Sequence, residues 1–133
     1  MTIRLTATAA GSRYLVDHAP KGYPNKGDAT RETSTLRNAV AQFGRPKGAI
    51  VGSDVWIATI VIPPFGKVDV RAATSLPGGT IRAVGTVTAT QTAGTFRVVG
   101  GTAGYAGARG TTRLRNTNAS GSRALIVFRL QLP

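Results

Sequence analysis

Five carboxylates and one imidazole are the acid–base groups of this chain: Asp17, Asp28, Glu32, Asp54, Asp69 and His18. Asp54 stands out by its surroundings. It lies inside the apolar run from Ala49 to Ile62, and the two-residue period of a strand puts it on one face with Trp56 and Ala58. A carboxyl in such a setting is pushed toward its neutral form and becomes a proton or hydrogen-bond donor at neutral pH. The plainer reading pairs it with one of the many arginines. Asp17 ends the short extended piece RYLVD beside His18, where it either faces the mouth of a site or caps the turn into His18-Ala19-Pro20. Asp54 and Asp17 are therefore the catalytic candidates. Asp28, after Gly27, reads as a turn residue, and a lone loop histidine such as His18 is more often solvated than catalytic. Glu32 and Asp69 alternate with polar neighbours and are expected on an outer face, compensating arginines.

Around these acids, Trp56, Tyr105, Phe96 and Phe128 have faces that could shape a bound apolar molecule or stabilise a developing cation, with ordinary core packing as the alternative for each. Tyr14 is counted with Trp56 and Tyr105 as a substrate contact. Arg71, Arg109 and Arg113 fall at strand positions from which an inward side chain would hold a substrate carboxylate or carbonyl bidentately, and an outward one would be solvated. Other chemistries lack their residues. There is no cysteine and a single histidine, so a thiolate or multi-histidine metal centre is excluded. No GxSxG elbow accompanies that histidine, which removes a serine triad. A chain this poor in acids and histidines is compatible with chemistry by confinement, which needs no cofactor and few ionisable groups and is worth roughly 7 to 11 kcal/mol when a flexible substrate is held in reacting geometry.

Such residues need a rigid frame, and the composition points to strands. Gly, Thr, Val, Ile and Ala dominate, while the Glu, Lys and Leu of amphipathic helices are scarce. The stretch Phe96 to Thr112, FRVVGGTAGYAGARGTT, crowds five glycines into a short space and reads as strand, tight connection, strand. A phosphate-cradling loop would require a helix after it, and no helical pattern follows Gly110. Period-two segments run over Ile3 to Ala9, Arg13 to Asp17, Ala49 to Ile62, Lys67 to Leu76, Thr80 to Thr92, from Thr112 to Asn116, and Arg123 to Leu132. Ala29 to Asn38 fits either a strand or a turn of helix. Thr92 to Thr95 reads as a turn around Gly94. The 133 residues suit one domain. The expected fold is all-β, a closed eight-stranded antiparallel barrel with a central cavity, because closure removes exposed edges; an open two-sheet sandwich is the alternative.

Charge bears on partners. Seventeen Lys and Arg against five Asp and Glu give a formal net charge of +12, which draws in any polyanion. The arginines are scattered, no helix is available to enter a groove and no row of aromatics to stack bases, so a specific nucleic-acid partner is not expected. No segment is long and apolar enough to span a bilayer, and the first residues lack the apolar centre of a signal peptide. The compartment stays open between a cytosolic start and a secreted form whose leader was removed.

FRVVGGTAGYAGARG resembles the VVGGTG-aromatic-x-x-ARG signature of dirigent proteins and the TGGSG-aromatic segment of allene oxide cyclases. The order of YLVD, Gly27-Asp28, VGSDVWIATIV and GGTIRAVGTV is similar to the cyclase pattern, so the resemblance runs from Tyr14 to Leu132. It implies an eight-stranded barrel, usually a homotrimer, whose apolar cavity holds a few polar groups and folds a reactive small molecule into one cyclisation or coupling geometry. By this resemblance Asp17 falls at the aspartate of the dirigent first strand and near the cyclases' cavity-floor asparagine, and Asp54 at a cavity cysteine of the cyclases. Leu15 stands where the cyclases have a glutamate, and Thr95-Phe96-Arg97 where dirigent proteins carry an Arg-Glu pair. Two functions follow as expectations: a cofactor-free cyclase or isomerase acting on a small, mostly apolar substrate, or the same barrel as a non-catalytic carrier of a small ligand or binder of acidic glycans.

Overall fold

Alternation along the chain sets the strands. In the first of them Ile3, Leu5 and Ala7 are buried while Thr2, Arg4, Thr6 and Thr8 are exposed, the pattern of a ribbon with one face on a core. The computed structural model describes residues 1–88 and 91–133. It contains β1 (Thr2–Val16), β2 (Ala29–Asn38), β3 (Ile50–Ile62), β4 (Lys67–Leu76), β5 (Gly79–Val87), β6 (Ala93–Gly101), a short 3-10 turn at Ala103–Tyr105, β7 (Arg109–Asn116) and β8 (Arg123–Gln131). Each strand pairs antiparallel with the next, and β8 returns to β1 from Thr2↔Arg129 to Thr8↔Arg123, closing the barrel. Closure satisfies the main-chain donors and acceptors that an open sheet would expose.

Several boundaries differ from the sequence expectation. The two N-terminal extended pieces are one strand, bent by register irregularities between Ala9 and Gly11 and between Tyr14 and Val16. The ambiguous segment Ala29–Asn38 is a strand, held between β1 and β3. The expected strand 80–92 ends at Val87, and its positions 89 and 90 lie outside the described residues. Ala93, Gly94 and Thr95 belong to β6 rather than to a turn.

The barrel has two unlike ends. At one, Ile3, Leu5, Leu36, Val51, Leu76, Ile81, Val98, Tyr105, Phe128 and Leu130 form a packed core, each large side chain contributing about 1.5–3 kcal/mol by leaving water. The glycine-dense stretch closes this end. Tyr105 is buried and its hydroxyl donates to the Pro77 carbonyl at 2.8 Å. Gly110 has φ +135°, and a Cβ there would lie 2.0 Å from the Arg129 carbonyl oxygen, so only glycine lets β7 come this close to β8. At the other end, where the connections 17–28, 63–66 and 117–122 gather, the interior is left open.

Candidate functional site

Beyond the packed half, small residues face inward. Ala7 and Ala9 on β1, Ala58 on β3, Val68 and Val70 on β4, and Gly94 on β6 line the interior and leave a cavity of about 680 Å³, within the range of small-molecule sites. Leu114 and Ile126 complete the apolar wall, and Ser12, Asn116, Ser120 and Ser122 give it a polar rim. Trp56 and Phe96 come from opposite walls and meet edge to face, with ring centroids 5.2 Å apart at 74°. Phe96 has room because Gly85 beside it has no side chain: a Cβ there would sit 2.5 Å from the ring.

Asp54 lies at the inner end of this cavity, where β3 passes into the packed half. It pairs with Ser34 on β2 and Thr74 on β4 and is 1% exposed. Neither carboxylate oxygen has a hydrogen bond. Burial pushes its pKa above the ordinary carboxylate range, and the negative charge of Glu32 adds to the rise. The Trp56 and Ser34 side chains and the Ser34 amide lie near enough to favour the charged form in part, but none has the geometry of a hydrogen bond to it. The expected pairing with an arginine is absent among the described residues lining the cavity, which include no Lys or Arg. An acid so placed is shifted toward its protonated form, the form that can donate a hydrogen bond into the space beside it.

Glu32 is the functional candidate that sequence reasoning misplaced. Expected on the outer face, it pairs with Trp56 and Ser12 and lines the cavity. The signal was available: Leu36 is the one large apolar residue of β2, and counting back from it by twos through Ser34 reaches Glu32. Asp69 is on the outer face as expected, exposed on β4.

Of the candidates named from the sequence, Asp54, Trp56 and Phe96 line the cavity together, and the rest do not. Asp17 is half-buried in the connection after β1, with Oδ1 unpartnered, outside the lining. Tyr14 is exposed where β1 runs past its last pairing with β8. Tyr105 belongs to the closed end. Arg71, Arg109 and Arg113 alternate with the buried residues of β4 and β7, so their inward projection is not found: all three are exposed on the outer face. Arg109 instead donates to the carbonyls of Val99 and Ala108. Asp28 is buried, accepts hydrogen bonds from the His18 and Asn25 amides at 2.7 and 2.9 Å, and has a pKa held down by them. It ties the connection 17–28 together beside the open end.

No family model matches the sequence, and no curated protein sequence matches it. Solved structures do match the fold. A pyocyanin demethylase superposes with a TM-score of 0.75 at 20% identity, over 98% of this chain and 100% of that one. AbnU, an exo-specific intermolecular Diels-Alderase, gives 0.70 at 16% over 98% and 96%. A pterocarpan synthase dirigent protein gives 0.69 at 12% over 98% and 80%. The chain shares the closed eight-stranded barrel fold of these structures. The strand order, the closure of β8 on β1 and the glycine-dense connection from β6 to β7 are how this chain builds that barrel.

Proposed function

We propose that this barrel encloses a small, mostly apolar molecule and directs its cyclisation, rearrangement or stereoselective coupling by confinement, with Asp54 as proton or hydrogen-bond donor. The observation that carries the reading is a buried carboxyl with both oxygens unpartnered at the inner end of an apolar cavity. Native proteins rarely keep such a group unless something else completes its hydrogen bonds. The neighbouring structures support the same class of chemistry, since they include a Diels-Alderase and a dirigent protein. Trp56 and Phe96 form a right-angled corner against which a flat or folded substrate is held. The homotrimer implied by the sequence resemblance is part of this proposal.

The test is a paired measurement of binding and turnover on polyene and phenolic substrates. Asp54→Asn keeps nearly the same shape but has no acidic proton. Ligand affinity is expected to change little, whereas the rate falls by about 10²-fold or more, the usual contribution of a positioned acid. Unaltered turnover in the variant removes Asp54 from the chemistry. Normal binding with no turnover of any such substrate by the native protein leaves a non-catalytic carrier.

A further inference from the structure

The inside and the outside of this barrel carry opposite charge. The protein has a formal net charge of +12, yet none of its 17 Lys and Arg residues lines the cavity. The titratable groups that face it are two carboxyls, Glu32 toward the open end and Asp54 at the inner end. Asp54 is 1% exposed and has no partner for either oxygen. Between the two lies Trp56, which pairs across strands with Glu32 and packs edge to face with Phe96. We infer that the cavity takes a flat, largely apolar molecule bearing a positive charge, and turns away carboxylates and phosphates.

This inference rests on the reading of the cavity as a small-molecule site and adds the charge of the occupant. An anion would have to shed its water beside Glu32 and find no counter-charge within. A cation finds the Glu32 carboxylate at the entrance and the faces of Trp56 and Phe96 farther in, where an aromatic quadrupole attracts positive charge. The basic exterior pulls the other way, but salt screens its reach to about 8 Å under physiological conditions. Discrimination therefore belongs to the lining rather than to the net charge.

The single tryptophan makes the test local. The Trp56 indole N–H gives one resolved nitrogen–proton resonance, and its shift reports occupation of the cavity itself. Two acridines of the same ring shape are titrated at about 0.15 M salt: 9-aminoacridine, a cation at neutral pH, and acridine-9-carboxylate. The cation is expected to shift the resonance saturably with a Kd lower by roughly tenfold or more, an amount that one desolvated cation–π contact plus a nearby carboxylate supplies. Glu32→Gln, exposed enough to leave the fold intact, should bring that ratio to about threefold or less, with the free-state resonance unmoved. Equal affinities, or a preference for the carboxylate, overturn the charge assignment and leave the cavity standing as a binding site. No shift with either probe overturns both.

Discussion

The Asp54 carboxyl is disfavoured in its charged form by its burial, and that has a consequence for stability. Its pKa is raised above the ordinary carboxylate value, so the folded state holds this proton more tightly than the unfolded chain does. The resulting stabilisation is complete below the unfolded pKa and is lost as pH rises through the folded one. Asn carries no such proton. The melting temperature of Asp54→Asn, relative to the native protein, is therefore expected to move in the variant's favour as pH rises above the ordinary carboxylate range; an offset independent of pH would contradict a raised pKa. At this scale the sequence was partly legible. Alternation within an apolar run placed Asp54 and Trp56 on one face, and both line the cavity. Glu32 was obscured because its neighbours on both faces of β2, Thr30, Arg31, Thr33 and Ser34, are all polar, leaving Leu36 alone to mark the inside. Arginine, apolar along its stem and charged at its tip, gives no such mark at all.

Two elements set the shape of the site. The first is the glycine gap beneath Phe96. Gly85→Ala would place a methyl 2.5 Å from the ring, and overpacking of this kind costs about 1–3 kcal/mol. Denaturant unfolding should show that loss, and Trp56 emission should change because its edge-to-face partner has moved. Unchanged emission with unchanged stability would mean that Phe96 is not held over Gly85. The second is the connection 17–28, pinned by Asp28. In Asp28→Ala the His18 and Asn25 amides lose their acceptor, and their hydrogen exchange should accelerate by roughly tenfold or more, as expected when a charge-assisted bond is removed. The native loop should loosen in the same way in acid, since a carboxylate with a depressed pKa stabilises above 3.8 and ceases to as pH falls through its folded value. Exchange at these amides unaffected by either change would rule out Asp28 as the clasp. Strand identities were largely legible because most have a clear period of two; β2, with Leu36 as its one large apolar residue, does not, and it read equally as strand or helix. Their ends were less so, since a register irregularity such as that near Ala9 joins two segments that composition separates.

Across the whole molecule the charges are segregated. β1 and β5 to β8 contain nine arginines and no carboxylate, all nine exposed. On the outer side of β5 to β8 a groove is lined by Arg113, Arg115 and Arg129. A basic groove of this kind, with no aromatic side chain in its lining to stack bases, would attract a polyanion by charge alone. Retention on immobilised heparin is expected to fall steeply with salt, and Arg113→Gln with Arg115→Gln to elute earlier, while ligand binding in the cavity is unaffected; elution insensitive to salt would mean that the basic face is not the contact. Barrel closure was legible from strand count and the need to cover edges. The separation of a basic shell from an acidic interior was not, because it depends on which face each arginine takes, and only the three-dimensional register decides that.

The proposed chemistry turns on an acid held away from water, its charged form disfavoured by burial. The carbon-13 titration of the Asp54 side-chain carboxyl in aspartate-labelled protein observes that acid directly, with Asp28, whose pKa is held down by the His18 and Asn25 amides, as internal reference. The expected result is a midpoint clearly above that of Asp28 and above the ordinary carboxylate range, falling when the Glu32 charge is removed. A midpoint in the ordinary carboxylate range, alongside its neighbours, would show Asp54 solvated or paired and leave the cavity without its acid.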